Sequence, residues 1–389
     1  MPKRATNHKP ARTLLEQKIR ERNETFEEFA ESLERFGRDN HEVGTLSVRN
    51  LQRLVAGRRP DGGPLGAVRP ATARLLERMF GTSIDELLRP PVVRSSYDDS
   101  AFELRQMLDT ARRVDDSVIE LLGLQLTLIR KLDRQLGAVV AHDEVTTKAA
   151  QLHRLQAYST SPSVRGGLAA LQSELFTLAG WQALDMGNTS ESWTHYENGK
   201  LAAAECLDDS FLLHTSAEQA FVLLEIGKSA DAVHLLAHLC EKATNTSGLL
   251  RSWLFAALGE ALAANGRRSD SLLAFDRAAH LLPDSDFDHG PYVVLDSTHL
   301  ARWRGHALAR LGEPEAVEVL TDALERLDPS FTRAATGLRV DLATAFAARG
   351  EWDAARSHAD AARDLAAGIG SVRQHRRMLA LAVPTSATP

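Results

Sequence analysis

The stretch "SWLFAALGEALAANGRRSDSLLAFDRAAHLLP", Ser252 to Pro283, decides how the larger part of this chain folds. It pairs Leu258 with Gly259, sets Leu262 one turn later, reaches a glycine at Gly266, then carries Phe275, Ala278 and a closing Pro283. Small residues let two helices approach, a glycine reverses the chain between them, and a proline stops the second helix. The stretch therefore reads as two antiparallel helices.

The same arrangement recurs on both sides of it. Equivalent turn glycines fall at Gly187 ("LAGWQALDMGNTSESWTHY"), Gly227 ("AEQAFVLLEIGKSADAV"), Gly312 ("RGHALARLGEPEAVEVL") and Gly350 ("ATAFAARGEWDAARSHA"). Five units result, from about Gly166 to Gly370, spaced by 38 residues or somewhat more. Self-similarity at such a period marks a stack of helical pairs, each burying its apolar face against the next. The longest connection between units is "LLPDSDFDHGPYVVLDST".

These units resemble tetratricopeptide repeats, although their spacing exceeds the usual length of that repeat. In that family the first helix of each pair lines a concave groove. The resemblance implies that Glu174, Thr177 and Trp181 face it from the first unit, and His214 and Phe221 from the second. Trp253 and Glu260 come from the third, and His299, Arg302, His306 and Arg310 from the fourth. Cations gather in the fourth unit, with aromatics and carboxylates before it. Such a set suits a short peptide or amphipathic molecule held by an acidic end and an apolar body.

Upstream, "RPPVVRSSYDD", Arg89 to Asp99, ends a helix at a proline pair and continues in polar residues. Before it come short helical patterns over Arg12 to Arg22, Thr25 to about Gly37, Ser47 to Ala56, Arg69 to Phe80 and Ser83 to Leu88. This part is basic: Met1 to Ser96 holds 18 Lys/Arg and 13 Asp/Glu, leaving 28 and 39 for the rest, within a net charge of -6. That asymmetry suits a phosphate-seeking module on an acidic body. In "SVRNLQRLVAGRRP", Ser47 is a natural N-cap, Val48, Leu51, Leu54 and Val55 share a face, and Gly57 is a natural stop.

The blocks "TFEEFAESL", "SVRNLQRLVAGRRP" and "RPATARLLERMFGTSIDELL" resemble successive helices of Cro/repressor-like helix-turn-helix regulators, the xenobiotic-response-element family. The resemblance implies that Leu46, Leu51 and Leu54 are the buried side of a recognition helix. Ser47, Val48, Arg49, Asn50, Gln52 and Arg53 would then meet double-stranded DNA, while Arg58, Arg59 and Arg69 hold the backbone. The chain departs from the family in "ERFGRDNHEVGTL", where a tight turn is usual, and in the lengthened loop "DGGPLGAV".

The expected fold is all-α: a helix-turn-helix bundle over 1–90, a linker over 91–99, connecting and dimerisation helices over 100–165, and a tetratricopeptide-like α-solenoid over 166–389. Such an architecture resembles actinobacterial one-component regulators. It implies a sequence-specific DNA-binding homodimer that senses a peptide, small molecule or protein. The alternative is a protein-interaction scaffold whose basic helices dock onto another protein. Within 98–136, "VIELLGLQLTLI" is more apolar than a solitary surface helix needs to be, which makes it the expected dimer surface.

Other classes find no support in the residues. There is no nucleophile elbow, phosphate loop or dinucleotide fingerprint, so no enzyme and no cofactor are expected. His234 and His238 stand four apart on one helix, but no Glu follows the first in the metalloprotease manner, and no metal is expected there. Glu27 and Glu28 read as a solvated first helical turn. Cys206 and Cys240 lack metal spacing and fit buried, reduced thiols. No membrane span and no signal peptide are visible, and a cytoplasmic, nucleoid-associated protein is expected.

Overall fold

The computed structural model describes residues 11–40, 42–59, 63, 65–91, 96–283 and 290–381, with the side chains of 96–99 left out. The chain divides into two compact units, Met1–Glu103 and Leu104–Pro389. Every regular element along the described residues is a helix, and none of these helices is long and apolar enough to cross a membrane.

The first unit is a helical bundle of α1 (Leu14–Glu21), α2 (Phe26–Asp39), α3 (Val48–Ala56), α4 (Pro70–Phe80) and α5 (Ile84–Leu87). Local chemistry sets each boundary. Thr25 and Glu28 form a reciprocal capping box on α2, and Ser47 caps α3. Gly57, at φ 70°, ends α3 in the left-handed conformation that costs a glycine nothing. Leu15, Phe29, Leu33, Leu51, Leu54, Leu75 and Leu87 close the core. The backbone bond from Leu14 N–H to Arg89 O, at 2.8 Å, ties the two ends of the bundle together.

The unusual connection before α3 has its own anchor. Helix α2 runs on to Asp39, beyond Gly37, and the chain then crosses the start of α4. A Cβ on Gly44 would lie 2.9 Å from Ala71 O, and Thr72 Oγ1 donates to Thr45 O at 3.4 Å. Most of the expected linker, 91–99, lies outside the described residues or their side chains. Helix α6 (Ser96–Ala111) begins inside it and contains the division between the units.

The second unit is a tetratricopeptide-like solenoid. Helices α7 (Asp116–Leu136) and α8 (Ala138–Tyr158) lead into α9 (Pro162–Asp185) and α10 (Thr189–Ala203). Next come α11 (Ser210–Glu218), α12 (Ala220–Glu225) and α13 (Ser229–Lys242), then α14 (Gly248–Ala264) and α15 (Arg268–Leu281). The stack ends with α16 (Ser297–Leu311), α17 (Ala316–Arg326), α18 (Thr332–Ala348), α19 (Trp352–Ile369) and α20 (Val372–Ala380). The turn glycines Gly187, Gly227, Gly266, Gly312 and Gly350 all have positive φ, between 72° and 84°. Of the long connection after α15, residues 284–289 lie outside the described residues.

Each pair closes through a small residue. A Cβ on Gly259 would meet Phe275 Cε2 at 2.7 Å, so only glycine lets α15 lie this close to α14. Ser271 Oγ then donates to Gly259 O at 2.8 Å, and Ser192 Oγ makes the same bond to Gly180 O at 2.7 Å in the first pair. The second, fourth and fifth pairs carry alanine at the matching place, Ala232, Ala316 and Ala355.

The stack also curls back on its own beginning. Arg333 of α18 grips Asp133 of α7 with both terminal nitrogens, at 2.7 and 2.8 Å, and lies 3.3 Å from Asp185 of α9. Ser371, the cap of α20, donates to the other oxygen of Asp185 at 2.6 Å. Along α7, Leu121, Leu124, Leu128, Leu132 and Leu136 remain exposed. The two cysteines are half-buried rather than fully buried as expected; burial pushes each thiol up to about 12, so both stay protonated.

Candidate functional site

Curling of the solenoid forms a half-open cavity of about 310 Å³. First helices of the pairs reach it by pointing one face inward, and Glu174, Thr177, Trp181, His214, Phe221, Trp253, Glu260, His299, Arg302, His306 and Arg310 all line it. The repeat period brings these eleven residues together from α9, α11, α12, α14 and α16.

The aromatic rings form one continuous wall. Trp181 meets Phe221 edge-on at 6.1 Å, Phe221 meets Trp253 at 6.2 Å, and Trp253 meets Trp303 at 5.8 Å. Trp253 and Phe221 are also buried core residues, so one set of rings both joins neighbouring units and faces the cavity. Such edge-to-face contacts fix the rings in place.

Opposite charges in the cavity are largely matched. Arg130 bonds Glu174 at 2.6 Å, Arg373 bonds Glu225 at 2.8 Å, and Arg377 and His306 both bond Asp341, at 2.5 and 2.7 Å. His306 and Arg377 hold the Asp341 carboxyl well below its ordinary value against the effect of burial. Glu174 also accepts the Tyr292 N–H at 2.5 Å, which fixes part of the long connection against the groove.

Arg302 is the exception. Among the described residues it makes no hydrogen bond or ion pair, and its buried Nε lacks any partner. Burial lowers its pKa, opposed by the Glu260 and Asp341 charges. Its guanidinium stands 6.0 Å from the centre of the Trp303 ring. A cation left unbonded beside an aromatic wall has the chemistry to accept an anion with an apolar body, because a carboxylate or phosphate can take the fork of N–H donors directly.

Neutral polar groups complete the lining. Burial and the nearby Arg130 charge bring His214 down to about 3. Burial lifts Glu218 to about 8, against the influence of the nearby Tyr196 hydroxyl and the Arg373 charge, so the carboxyl is protonated at neutral pH. His299 is also lowered, chiefly by burial and by Arg302. Its Nδ1 contacts Asp296 at 3.0 Å, and its buried Nε2 has no partner.

No family model matches the chain. No curated protein matches it either. Two solved structures are similar to it: the putative kinesin light chain nearly identical TPR-like repeats of Podosopora anserina, and a Q17M form of the same repeats. Each is 19% identical with a TM-score of 0.34; the first covers 54% of this chain and 97% of its own, the Q17M form 51% and 95%. The architecture described above rests on the chain's own helices rather than on that likeness.

Repeat logic could not find the cavity residues that lie outside the repeat register. Arg130, Asp133 and Arg134 come from α7, Arg373 and Arg377 from α20, and Tyr292 from the long connection. Arg134 lies 4.8 Å from the Phe331 ring centre, and Arg130 lies 4.0 Å from that of Tyr292. The only signal for them in the sequence is an arginine density that is ordinary for this chain.

In the first unit, Ser47, Arg49, Asn50, Gln52 and Arg53 are exposed on α3, opposite the buried Leu51, Leu54 and Val55. Val48 and Leu46 are half-buried, while Arg58, Arg59 and Arg69 are exposed beyond the helix. His234 and His238 are exposed on α13, and neither belongs to a metal-binding group among the described residues.

Proposed function

We propose that this chain is a ligand-responsive regulator: its solenoid takes up an amphipathic anion, and its first unit engages duplex DNA as one half of a homodimer. Arg302 carries the ligand half of the reading. A guanidinium without a bonded carboxylate, next to a wall of tryptophans, calls for an acidic group attached to an apolar body. Short peptides with a free carboxylate and aromatic or aliphatic acids have that chemistry.

The DNA half rests on α3 and on the resemblance of its surroundings to Cro/repressor-like regulators. The helix is anchored by Leu51, Leu54 and Val55 and leaves Arg49, Asn50, Gln52 and Arg53 free on the outer face. Arginine can fork onto guanine and asparagine onto adenine in the major groove.

Genomic fragments retained by the full chain in competition, at several salt concentrations, test this half. A DNA reader enriches one sequence and loses affinity steeply with salt. Arg49→Ala and Arg53→Ala then lose selectivity by about 1 to 3 kcal/mol, while Arg58→Ala and Arg59→Ala weaken all duplexes alike. Retention without preference, unchanged by all four substitutions, would leave the bundle as a protein-docking module.

A further inference from the structure

Where α8 meets the first helical pair, three side chains converge. His142 of α8 and Glu191 and His195 of α10 offer donor atoms that all lie within 4.8 Å of one another. Glu191 Oε1 is 3.6 Å from His142 Nε2 and 3.7 Å from His195 Nε2, and the two rings meet edge-on at 5.5 Å. Donors of a tetrahedral zinc site stand about 3.4 Å apart, given bonds of about 2.0 to 2.2 Å. We propose that His142, Glu191 and His195 form a binding site for a divalent zinc ion.

The surrounding bonds orient each donor. Buried Gln182 donates through Nε2 to Asp133 Oδ1 at 2.8 Å, which turns its Oε1 towards His142 Nδ1 at 3.1 Å. An amide oxygen only accepts, so Nδ1 carries the ring proton and Nε2 presents its lone pair to Glu191. Asn188 Nδ2 donates to Glu191 Oε2 at 3.1 Å and leaves Oε1 for the ion. This is how metal-ligating imidazoles and carboxylates are held from behind.

His195 supplies the independent sign. Both of its ring nitrogens are buried, and neither has a hydrogen-bond partner. Phe176 lies along one face of the ring, with centroids 6.2 Å apart. Buried polar atoms are ordinarily bonded, and a cation within the cluster would satisfy this one. Glu191 is half exposed, which gives the ion a way in and leaves its fourth position to water. Two imidazoles and one carboxylate favour zinc over calcium or magnesium, which prefer oxygen alone.

The test is direct zinc binding by the untagged full chain, stripped with chelator and titrated with Zn²⁺ against a chromophoric competitor. One ion per chain is expected, and Co²⁺ in its place gives the strong visible absorption of a four-coordinate centre. Glu191→Gln alters an exposed side chain that the fold does not need, and lowers zinc affinity at least about 100-fold; Asn188→Ala lowers it about 10-fold. A His234→Ala/His238→Ala variant binds as the parent does. Absence of stoichiometric zinc, or binding that follows His234 and His238 while ignoring Glu191, overturns the proposal. Because Glu191 and Asn188 carry the test, it holds even if His195 variants do not fold.

Discussion

His214 Nε2 lies 3.7 Å from Glu218 Oε1 on one face of α11, and neither side chain is charged at neutral pH. Their effects on stability run in opposite directions. His214 titrates at about 3 in the fold against 6.5 ordinarily, so its contribution is present above pH 6.5 and is lost as pH falls towards 3. Glu218 titrates at about 8 against 4.5, so its contribution is present below pH 4.5 and is lost as pH rises towards 8. Between pH 4.5 and 6.5 the two slopes oppose one another. Urea midpoints should therefore be nearly flat there and decline from pH 6.5 to 8, and Glu218→Gln should remove most of that decline. A decline unchanged in the variant would place its origin elsewhere.

Glycines in the helices separate by what stands over them. Gly259→Ala forces a methyl against the buried Phe275 ring and should cost about 1 to 3 kcal/mol. Gly368→Ala in α19 meets nothing within 4 Å and should be neutral, or stabilising by up to about 1 kcal/mol. Thermal unfolding of both variants beside the parent measures the difference. Equal effects would mean that the close contact of α14 and α15 is not what fixes the pair.

Removal of the unpaired cavity cation should be selective. Arg302→Ala is expected to weaken the uptake of anilinonaphthalene sulfonate, an aromatic body with one anionic group, by about tenfold to a hundredfold, as for a charge-assisted bond. Fluorescence of the bound probe gives the affinity. Arg304→Ala, which breaks the outward pair with Asp276, should leave it unchanged. Equal affinities in the parent and Arg302→Ala would exclude Arg302 as the anion receptor.

The leucines along α7 lead to a further expectation. Leu121, Leu124 and Leu128 are each at least 60% exposed, in a stripe that one helix of a lone chain has no reason to keep. If the stripe joins two copies, Leu124→Glu with Leu128→Glu should convert a dimer to a monomer in light scattering without altering the circular dichroism. A parent that is monomeric at every concentration would refute this.

The sequence disclosed the repeats because a turn glycine and a small-to-large helix contact leave marks that recur along the chain. Gly266, Gly259 and Phe275 in one unit are enough to align the others. Once aligned, the inward face of each first helix follows from the 3.6-residue period, and Trp181, His214 and Arg302 fall on one cavity although 121 positions separate the first from the last. Arg130 and Arg373 lie outside that period, and only the return of the stack to α7 brings them in. The histidine cluster was invisible for another reason. Glu191 and His195 are one helical turn apart, but His142 comes from a different helix, and the evident pair at His234 and His238 points to water.

The grip of Arg333 on Asp133 gives the molecule a mechanical property that an open row of helical pairs lacks. An open row is a spring: its end pairs can peel away while the middle holds, and each pair responds mainly to its neighbour. Here the far end is fastened to the near end, which makes the spring a hoop. Tension introduced at one turn must be shared around the whole circumference. Peeling of the last pair has to break the fastening first, so loss of structure should begin as one event and not as fraying from a tip. A molecule seated inside such a hoop can alter its girth as a whole from a single point of contact.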